Sequence, residues 1–148
     1  MKIFLYLLAV LGLAAALQGC ATTPEGKARQ TITGLDAFNV GAGPLIRYGI
    51  KRCVDDAIAT AKKEGKPQGR AELASCSRKR EILVTAQAVA FGATDTAIPL
   101  LEAAIEIKAG NYDAILLPAI QATCSFRQLL VDMKVPNVPA VPFCGGAT

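Results

Sequence analysis

The sequence predicts an all-α protein, a small four-helix bundle built from helical hairpins, with an extended Pro-rich C-terminal tail and two disulfides. Apolar residues recur at intervals of three and four along most of the chain, which is the spacing of one face of a helix. No stretch alternates apolar and polar residues over the length of a strand, and neither Asn-Gly nor Asp-Gly occurs. The pattern therefore favours helices over a β-rich fold.

The first two predicted helices form an antiparallel hairpin. The first begins near Pro44, a residue suited to a first helical turn, and ends before Gly65, after lysines that favour a last turn. The second covers residues 70–91, and the connection between the two is short. The predicted inward residues are Ile46, Ile50, Cys53, Val54, Ala57, Ile58 and Ala61 in the first helix, and Leu73, Cys76, Leu83, Ala86, Ala90 and Phe91 in the second.

A second predicted hairpin follows residues 92–96, whose composition is typical of a turn. The third helix stops at Gly110, and Asn111 is the predicted N-cap of the fourth, which Pro118 kinks or delays. Three prolines within residues 135–143 then predict an extended, polyproline-like tail. The residues that trace these helices are Ile98, Leu101, Ala104, Ile105 and Lys108, and then Ile115, Leu116, Ala119, Ala122, Phe126, Leu129, Leu130 and Met133.

The N-terminal residues follow a distinctive order of charge, apolar run and cysteine. Lys2 precedes the apolar residues 3–17, and Leu17-Gln18-Gly19-Cys20 follows. This order resembles the signal sequence of bacterial lipoproteins, in which a diacylglycerol is attached to the cysteine sulfur and the leader is cut just before it. The apolar run is shorter than the roughly 20 residues of a spanning helix, which favours a secretory signal. The small residue Gly19 beside Cys20 favours cleavage over the alternative, an uncleaved signal anchor.

The resemblance implies a lipoprotein signal peptide at residues 1–19, an acylated Cys20 and attachment to a membrane through that lipid. Ala21, rather than Asp, after the cysteine implies the outer-membrane class of Gram-negative lipoproteins, facing the periplasm. Residues 20–39 are then the acylated cysteine and a polar tether, and residues 40–148 a single helical domain with the Pro-rich tail. The longest apolar stretch, residues 82–101, contains Gln87, Asp95 and Pro99, so it is interpreted as a buried helix rather than a membrane span.

The other cysteines are even in number in a chain expected to be exported, so they predict two disulfides. They are Cys53, Cys76, Cys124 and Cys144. Three connectivities are possible, and the two local bridges, Cys53–Cys76 and Cys124–Cys144, are the most economical. A four-cysteine zinc site is the alternative, although the chain has no C-x-x-C pair and no His.

The lack of His removes the commonest general base and the usual Ser-His and Cys-His nucleophiles. Asp55 with Asp56, and Glu102 with Glu106, are the carboxylate pairs that an Asp/Glu-dependent cell-wall enzyme could use. Both pairs are interpreted instead as solvent-facing charges. The sequence therefore predicts a protein that is not an enzyme and that has no cofactor and no metal.

Basic residues are concentrated in the first predicted hairpin. Residues 27–81 hold twelve Lys or Arg against six Asp or Glu, whereas residues 82–148 hold three against five. A bridge between Cys53 and Cys76 would bring the densest basic positions together into a cluster that binds an anionic envelope surface. This predicted basic cluster consists of Lys51, Arg52, Arg78, Lys79 and Arg80. A normally solvated helix face is the alternative.

The function expected from the sequence is that of a non-enzymatic, lipid-anchored cell-envelope protein, acting as a periplasmic interaction or structural module. Its partners would be the membrane, through the lipid, and an envelope protein or an anionic envelope surface, with no nucleic acid in that compartment. An exclusion or immunity lipoprotein of a phage or mobile element is one alternative. The Asp/Glu-dependent cell-wall enzyme is the other.

Overall fold

A computed structural model of the protein describes residues 23–65 and 70–145. These residues form helix α1 (Pro24–Lys63), helix α2 (Arg70–Glu106), helix α3 (Tyr112–Asp132) and a short 3-10 helix (Pro142–Cys144). The described ranges contain no strand, so the all-α prediction is confirmed there. The prediction of four helices is wrong, because three α-helices account for the same residues. The predicted signal peptide, residues 1–19, and Cys20 lie outside the described residues.

Helix α1 begins at Pro24, not near Pro44, so residues 24–39 are not the predicted tether. The Thr23 hydroxyl caps the helix by accepting a hydrogen bond from the Gly26 N–H at 3.1 Å. Proline at the first helical position and Glu25 in the first turn complete a regular helix start. The buried residues of this segment are Ala28, Ile32, Leu35, Phe38 and Asn39. The segment is thus an integral part of the domain.

Helix α2 joins the second and third predicted helices, so the turn predicted at residues 92–96 is also wrong. The hydroxyls of Thr94 and Thr96 donate to the carbonyl oxygens of Ala90 and Gly92, four residues earlier, at 2.9 and 2.7 Å. Threonine bonds back to the preceding turn in this way inside helices as well as in loops. These residues therefore continue the helix.

Three prolines lie inside the helices: Pro44 in α1, Pro99 in α2 and Pro118 in α3. An interior proline removes one helical hydrogen bond, because the carbonyl four residues earlier loses its N–H donor. Each of these prolines is exposed, and so is the residue four positions before it. Water can therefore bond to the freed carbonyls, and the helices continue past the prolines.

Each helix buries side chains at alternating intervals of four and three residues, which is the heptad spacing of coiled coils. In α1 these residues are Ala28, Ile32, Leu35, Asn39, Ala42 and Ile46; in α2 they are Ala90, Thr94, Ala97, Leu101 and Ala104; in α3 they are Tyr112, Leu116, Ala119, Thr123, Phe126 and Leu130. The repeats face one another and divide the apolar core into two clusters. The first cluster is centred on Leu35, Leu101 and Leu116, and the second on Leu83, Phe126 and Leu130.

A polar layer separates the two apolar clusters. It takes Asn39 from α1, Thr94 from α2 and Thr123 from α3, and all three side chains are fully buried. The Asn39 Nδ2 atom lies 3.0 Å from Thr94 Oγ1, 3.4 Å from Thr123 Oγ1 and 3.3 Å from the Ala90 carbonyl oxygen. The Asn39 Oδ1 atom has no hydrogen-bond partner. A layer of this kind fixes the relative register of the helices at a cost in stability.

The chain after α3 turns back along the bundle. Lys134 and Asn137 have positive φ angles of 57° and 58°, and residues 142–144 form the 3-10 helix. The predicted extended, polyproline-like tail is therefore not confirmed. The Arg127 Nε atom donates to the Pro139 carbonyl oxygen at 3.0 Å, and the predicted Cys124–Cys144 disulfide joins the segment to α3, with 5.3 Å between the Cα atoms.

Two glycines of α1 make room for the returning segment. A Cβ atom at Gly34 would lie 3.0 Å from the Phe143 ring, and one at Gly49 would lie 3.0 Å from Val135 Cγ2. Both distances are shorter than normal side-chain contacts, so the glycines allow close packing on this side of α1. The side of α1 that faces Phe143 and Val135 is therefore covered.

Candidate functional site

The end of the α1–α2 hairpin extends beyond the third helix. Helix α1 has 40 residues and α2 has 37, whereas α3 has only 21. At a rise of about 1.5 Å per residue, α1 exceeds α3 in length by about 28 Å and α2 exceeds it by about 24 Å. Most apolar side chains of this extension are only partly buried, including Val54, Ala57, Ile58 and Leu73. Among the residues that the structure describes, no third helix covers the two helices of this extension.

The second predicted disulfide, Cys53–Cys76, joins the two helices of this extension. The Cα atoms are 5.9 Å apart, and Cys76 is buried while Cys53 is partly buried. Both local connectivities favoured by the sequence are therefore present. All four cysteines of the described residues are in disulfides, so none is left as a thiolate for the alternative zinc site.

A groove with a volume of about 490 Å³ lies between α1 and α2. It is on the side of the Cys53–Cys76 disulfide that is away from the end of the hairpin. Helix α1 contributes residues at helical spacing, so they form one stripe along it, and α2 contributes the opposite wall. The lining residues are Gly43, Ile46, Arg47, Ile50 and Lys51 from α1, and Arg80, Val84 and Gln87 from α2. None of them is acidic. We call this the basic groove.

The basic groove contains two of the five residues of the predicted basic cluster, Lys51 and Arg80. The other three, Arg52, Arg78 and Lys79, are exposed on the same helices but do not line the groove. Arg47 lines it and was missed by the sequence analysis. The signal that could have identified it is its position four residues before Lys51, which places both cations on one helix face.

The floor of the basic groove is apolar and its polar wall is held in place. Ile46 is 3% exposed, and the Gln87 side-chain amide donates from Nε2 to the Asn39 backbone oxygen at 2.9 Å. Gly43 lies opposite that amide, where a Cβ atom would be 3.8 Å from Gln87 Nε2. The groove thus combines an apolar floor, one fixed amide and three cationic side chains.

The carboxylate pairs considered for catalysis are exposed. Asp55 and Asp56 lie on the outside of the hairpin extension. Glu102 and Glu106 line a second, more open depression of about 430 Å³ with Arg29, Pro99 and Ala103. No group of three or more His, Cys, Asp or Glu within the described ranges could hold a metal ion. The basic groove is therefore the strongest candidate site.

Two of the helices satisfy the length and composition of a membrane span. They are α2 over Glu72–Glu106 and α3 over Tyr112–Asp132, and 28% of the apolar window of each is buried within the bundle. Core helices of soluble proteins can have the same length and composition, so this property is weak evidence for membrane insertion. The prediction that only the lipid enters the membrane stays a prediction.

Comparison with protein-family models, with curated proteins and with solved structures finds no match for this chain.

Proposed function

We propose that this protein is a non-enzymatic lipoprotein of the bacterial cell envelope, anchored through Cys20 and facing the periplasm, that binds an anionic partner through the α1–α2 hairpin. The anchor is supported by the order of Lys2, the apolar residues 3–17 and the tetrapeptide 17–20. The two disulfides support an oxidising compartment, because structural disulfides persist there and are rare in the cytosol.

The observation that carries the binding proposal is the arrangement of cations around the Cys53–Cys76 bridge. The disulfide holds α1 and α2 together two residues from Lys51 and two residues from Arg78, and Lys51 and Arg80 line the same groove. Like charges held on two rigid helices raise the local positive potential, which attracts anions from solution. An anionic envelope surface is the partner that this charge distribution favours.

The anchor is tested by expressing the full chain and its Cys20→Ser variant in a Gram-negative host. We expect the unsubstituted chain to fractionate with membranes, with a mass that corresponds to residues 20–148 plus acyl groups. The variant should lack acyl groups and be released from washed membranes, because a lipid chain contributes about 0.8 kcal/mol of membrane affinity per buried methylene. An unprocessed, unacylated chain starting at Met1 would refute the anchor.

Binding is tested with the full chain, its acyl groups inserted in phosphatidylcholine vesicles, by measuring docking to separate phosphatidylglycerol vesicles. Replacing the five residues of the predicted basic cluster with Gln should weaken docking about tenfold or more, since each exposed ion pair contributes up to about 1 kcal/mol. Docking of the unsubstituted chain should also fall as salt rises from about 0.05 to 0.5 M, because the screening length shortens.

Two exposed cations of the hairpin are removed in a further variant, Arg78→Gln with Lys79→Gln, and two exposed cations outside it are removed in the matched control variant, Lys108→Gln with Lys134→Gln. The control variant should dock nearly as well as the unsubstituted chain. Equal losses in the two variants would mean that net charge, and not the hairpin, determines binding. Docking that does not respond to salt would contradict the proposal as a whole.

A further inference from the structure

We infer that the basic groove binds one anionic amphiphile, a molecule in which a phosphate head group is joined to a hydrocarbon chain. The inference rests on the proposed function, since it specifies the ligand that the anion-binding hairpin recognises. It goes further by requiring a site for a single molecule, whereas binding to a charged surface requires only exposed cations.

The hydrocarbon part is recognised by the floor of the groove. Ile46 and Ile50 of α1 and Val84 of α2 form an apolar surface between the helices, and Val84 remains 48% exposed. Covering such a surface with hydrocarbon is favourable in proportion to the apolar area removed from water. The groove volume of about 490 Å³ lies within the range of about 300–1,000 Å³ typical of small-molecule sites.

The anionic part is recognised by cations on both walls. Arg47 and Lys51 stand on α1 and Arg80 on α2, and all three are exposed. Their long side chains can lie along the apolar floor and keep the charged ends in water, where they meet a phosphate. Arginine also offers paired N–H donors that match phosphate oxygens. No acidic residue lines the groove to compete for these donors.

Charge and hydrophobicity together select the class of ligand. A hydrophilic polyanion would use the three cations but leave the apolar floor in contact with water. A neutral hydrocarbon would cover the floor but leave the cations without an anion. Only a molecule with both parts matches the whole lining, so the anionic amphiphile is the occupant that the observations favour.

Gly43 offers a direct way to block the groove. A Cβ atom at this position would make only an ordinary contact, 3.8 Å from Gln87 Nε2, so a side chain is tolerated but extends into the groove. Gly41, on the same helix, has nothing within 4 Å of its Cβ position and lies outside the lining. Gly43→Leu and Gly41→Leu therefore form a matched pair with a similar gain in helix propensity.

The experiment uses the full acylated chain in phosphatidylcholine vesicles and a monoalkyl phosphate that carries a photoreactive diazirine in its chain. We expect labelling at one molecule per protein, mapped by mass spectrometry to Ile50 and Val84. Labelling should fall about tenfold or more in Gly43→Leu and stay unchanged in Gly41→Leu. The corresponding alcohol, which lacks the phosphate, should label about tenfold less, because hydrogen bonds to a charged group contribute about 1.5–3 kcal/mol.

A second variant keeps the test independent of any change in folding caused by leucine. Arg47→Gln with Arg80→Gln should reduce labelling by the phosphate probe to that of the alcohol. Labelling scattered over the helices, equal labelling by both probes, or equal labelling of the two glycine variants would overturn the inference. If phosphatidylglycerol vesicles still dock through the basic cluster in that case, the proposed function stands while the inference fails.

Discussion

The substitution Asn39→Asp is expected to lower the free energy of unfolding by about 3 kcal/mol or more at pH 7, the cost of an uncompensated buried charge. Asn39 is fully buried, and the side chains within hydrogen-bond distance of it are the hydroxyls of Thr94 and Thr123. A carboxylate has nearly the shape of the amide, so the substitution tests charge rather than volume. Neither hydroxyl carries the positive charge that would compensate it.

The loss should depend on pH in a defined direction. Burial raises the pKa of the introduced carboxyl above its ordinary value of about 3.9. Below that value the group is protonated in both the folded and unfolded states, and the variant keeps most of its stability. As pH rises further, the unfolded state loses its proton first, and the folded state is destabilised by up to about 1.4 kcal/mol per pH unit.

Urea unfolding followed by circular dichroism at about pH 4 and pH 7 measures this difference, with the unsubstituted chain compared at each pH. The control is Asn39→Leu, which removes the unpartnered Oδ1 atom and should leave stability equal or higher. Equal unfolding midpoints for Asn39→Asp and the unsubstituted chain at pH 7 would show that water or a cation reaches the layer.

The second large effect is expected from Cys53→Ala combined with Cys76→Ala. The bridge joins two cysteines that are 23 residues apart in the sequence. Without it the unfolded chain is less constrained, so the free energy of unfolding should fall by about 3 kcal/mol. The effect should be local as well as global, because within residues 23–65 and 70–145 no third helix covers the hairpin beyond Cys53. Hydrogen exchange should therefore accelerate most in residues 54–63 and 72–75.

The matched control removes the other bridge, with Cys124→Ala and Cys144→Ala. This bridge has a similar sequence separation, 20 residues, but joins the returning C-terminal segment to α3. Its loss should accelerate exchange in residues 135–145 and leave the hairpin extension protected. Identical exchange patterns in the two variants would contradict the view that each disulfide stabilises its own region.

Helical structure and disulfide pairing were predictable from the sequence because both have local signals. The start of α1 was not predicted, although Thr23, Pro24 and Glu25 form a recognisable N-terminal cap. The residues that follow this cap are mostly polar, and they were therefore interpreted as a tether. Pro44 was taken as a helix start because the sequence does not show that it lies on an exposed face, where an interior proline costs less.

The polar layer was also not predicted, because the sequence does not show which polar residues are buried. Asn39, Thr94 and Thr123 occupy core positions of the heptad pattern, and a search for apolar residues passes over them. In the groove, Lys51 and Arg80 were predicted because both are close in sequence to the bridged cysteines. Their pairing with Arg47 and Gln87 depends on the antiparallel register of α1 and α2, which only the packed structure supplies.

Because α1 begins early in the chain, only a short linker separates the proposed acylated residue from this helix. Residues 21–23 separate Cys20 from the helix, and an extended chain spans at most about 3.6 Å per residue. Along helix α1, the distance from Pro24 is about 35 Å to Arg47 and about 60 Å to the end of the helix. The distance of the groove from the bilayer would therefore depend on the tilt of α1 and not on the length of the linker. With α1 perpendicular to the membrane, the groove faces the next layer of the envelope. With α1 parallel to the membrane, the groove lies against the lipid.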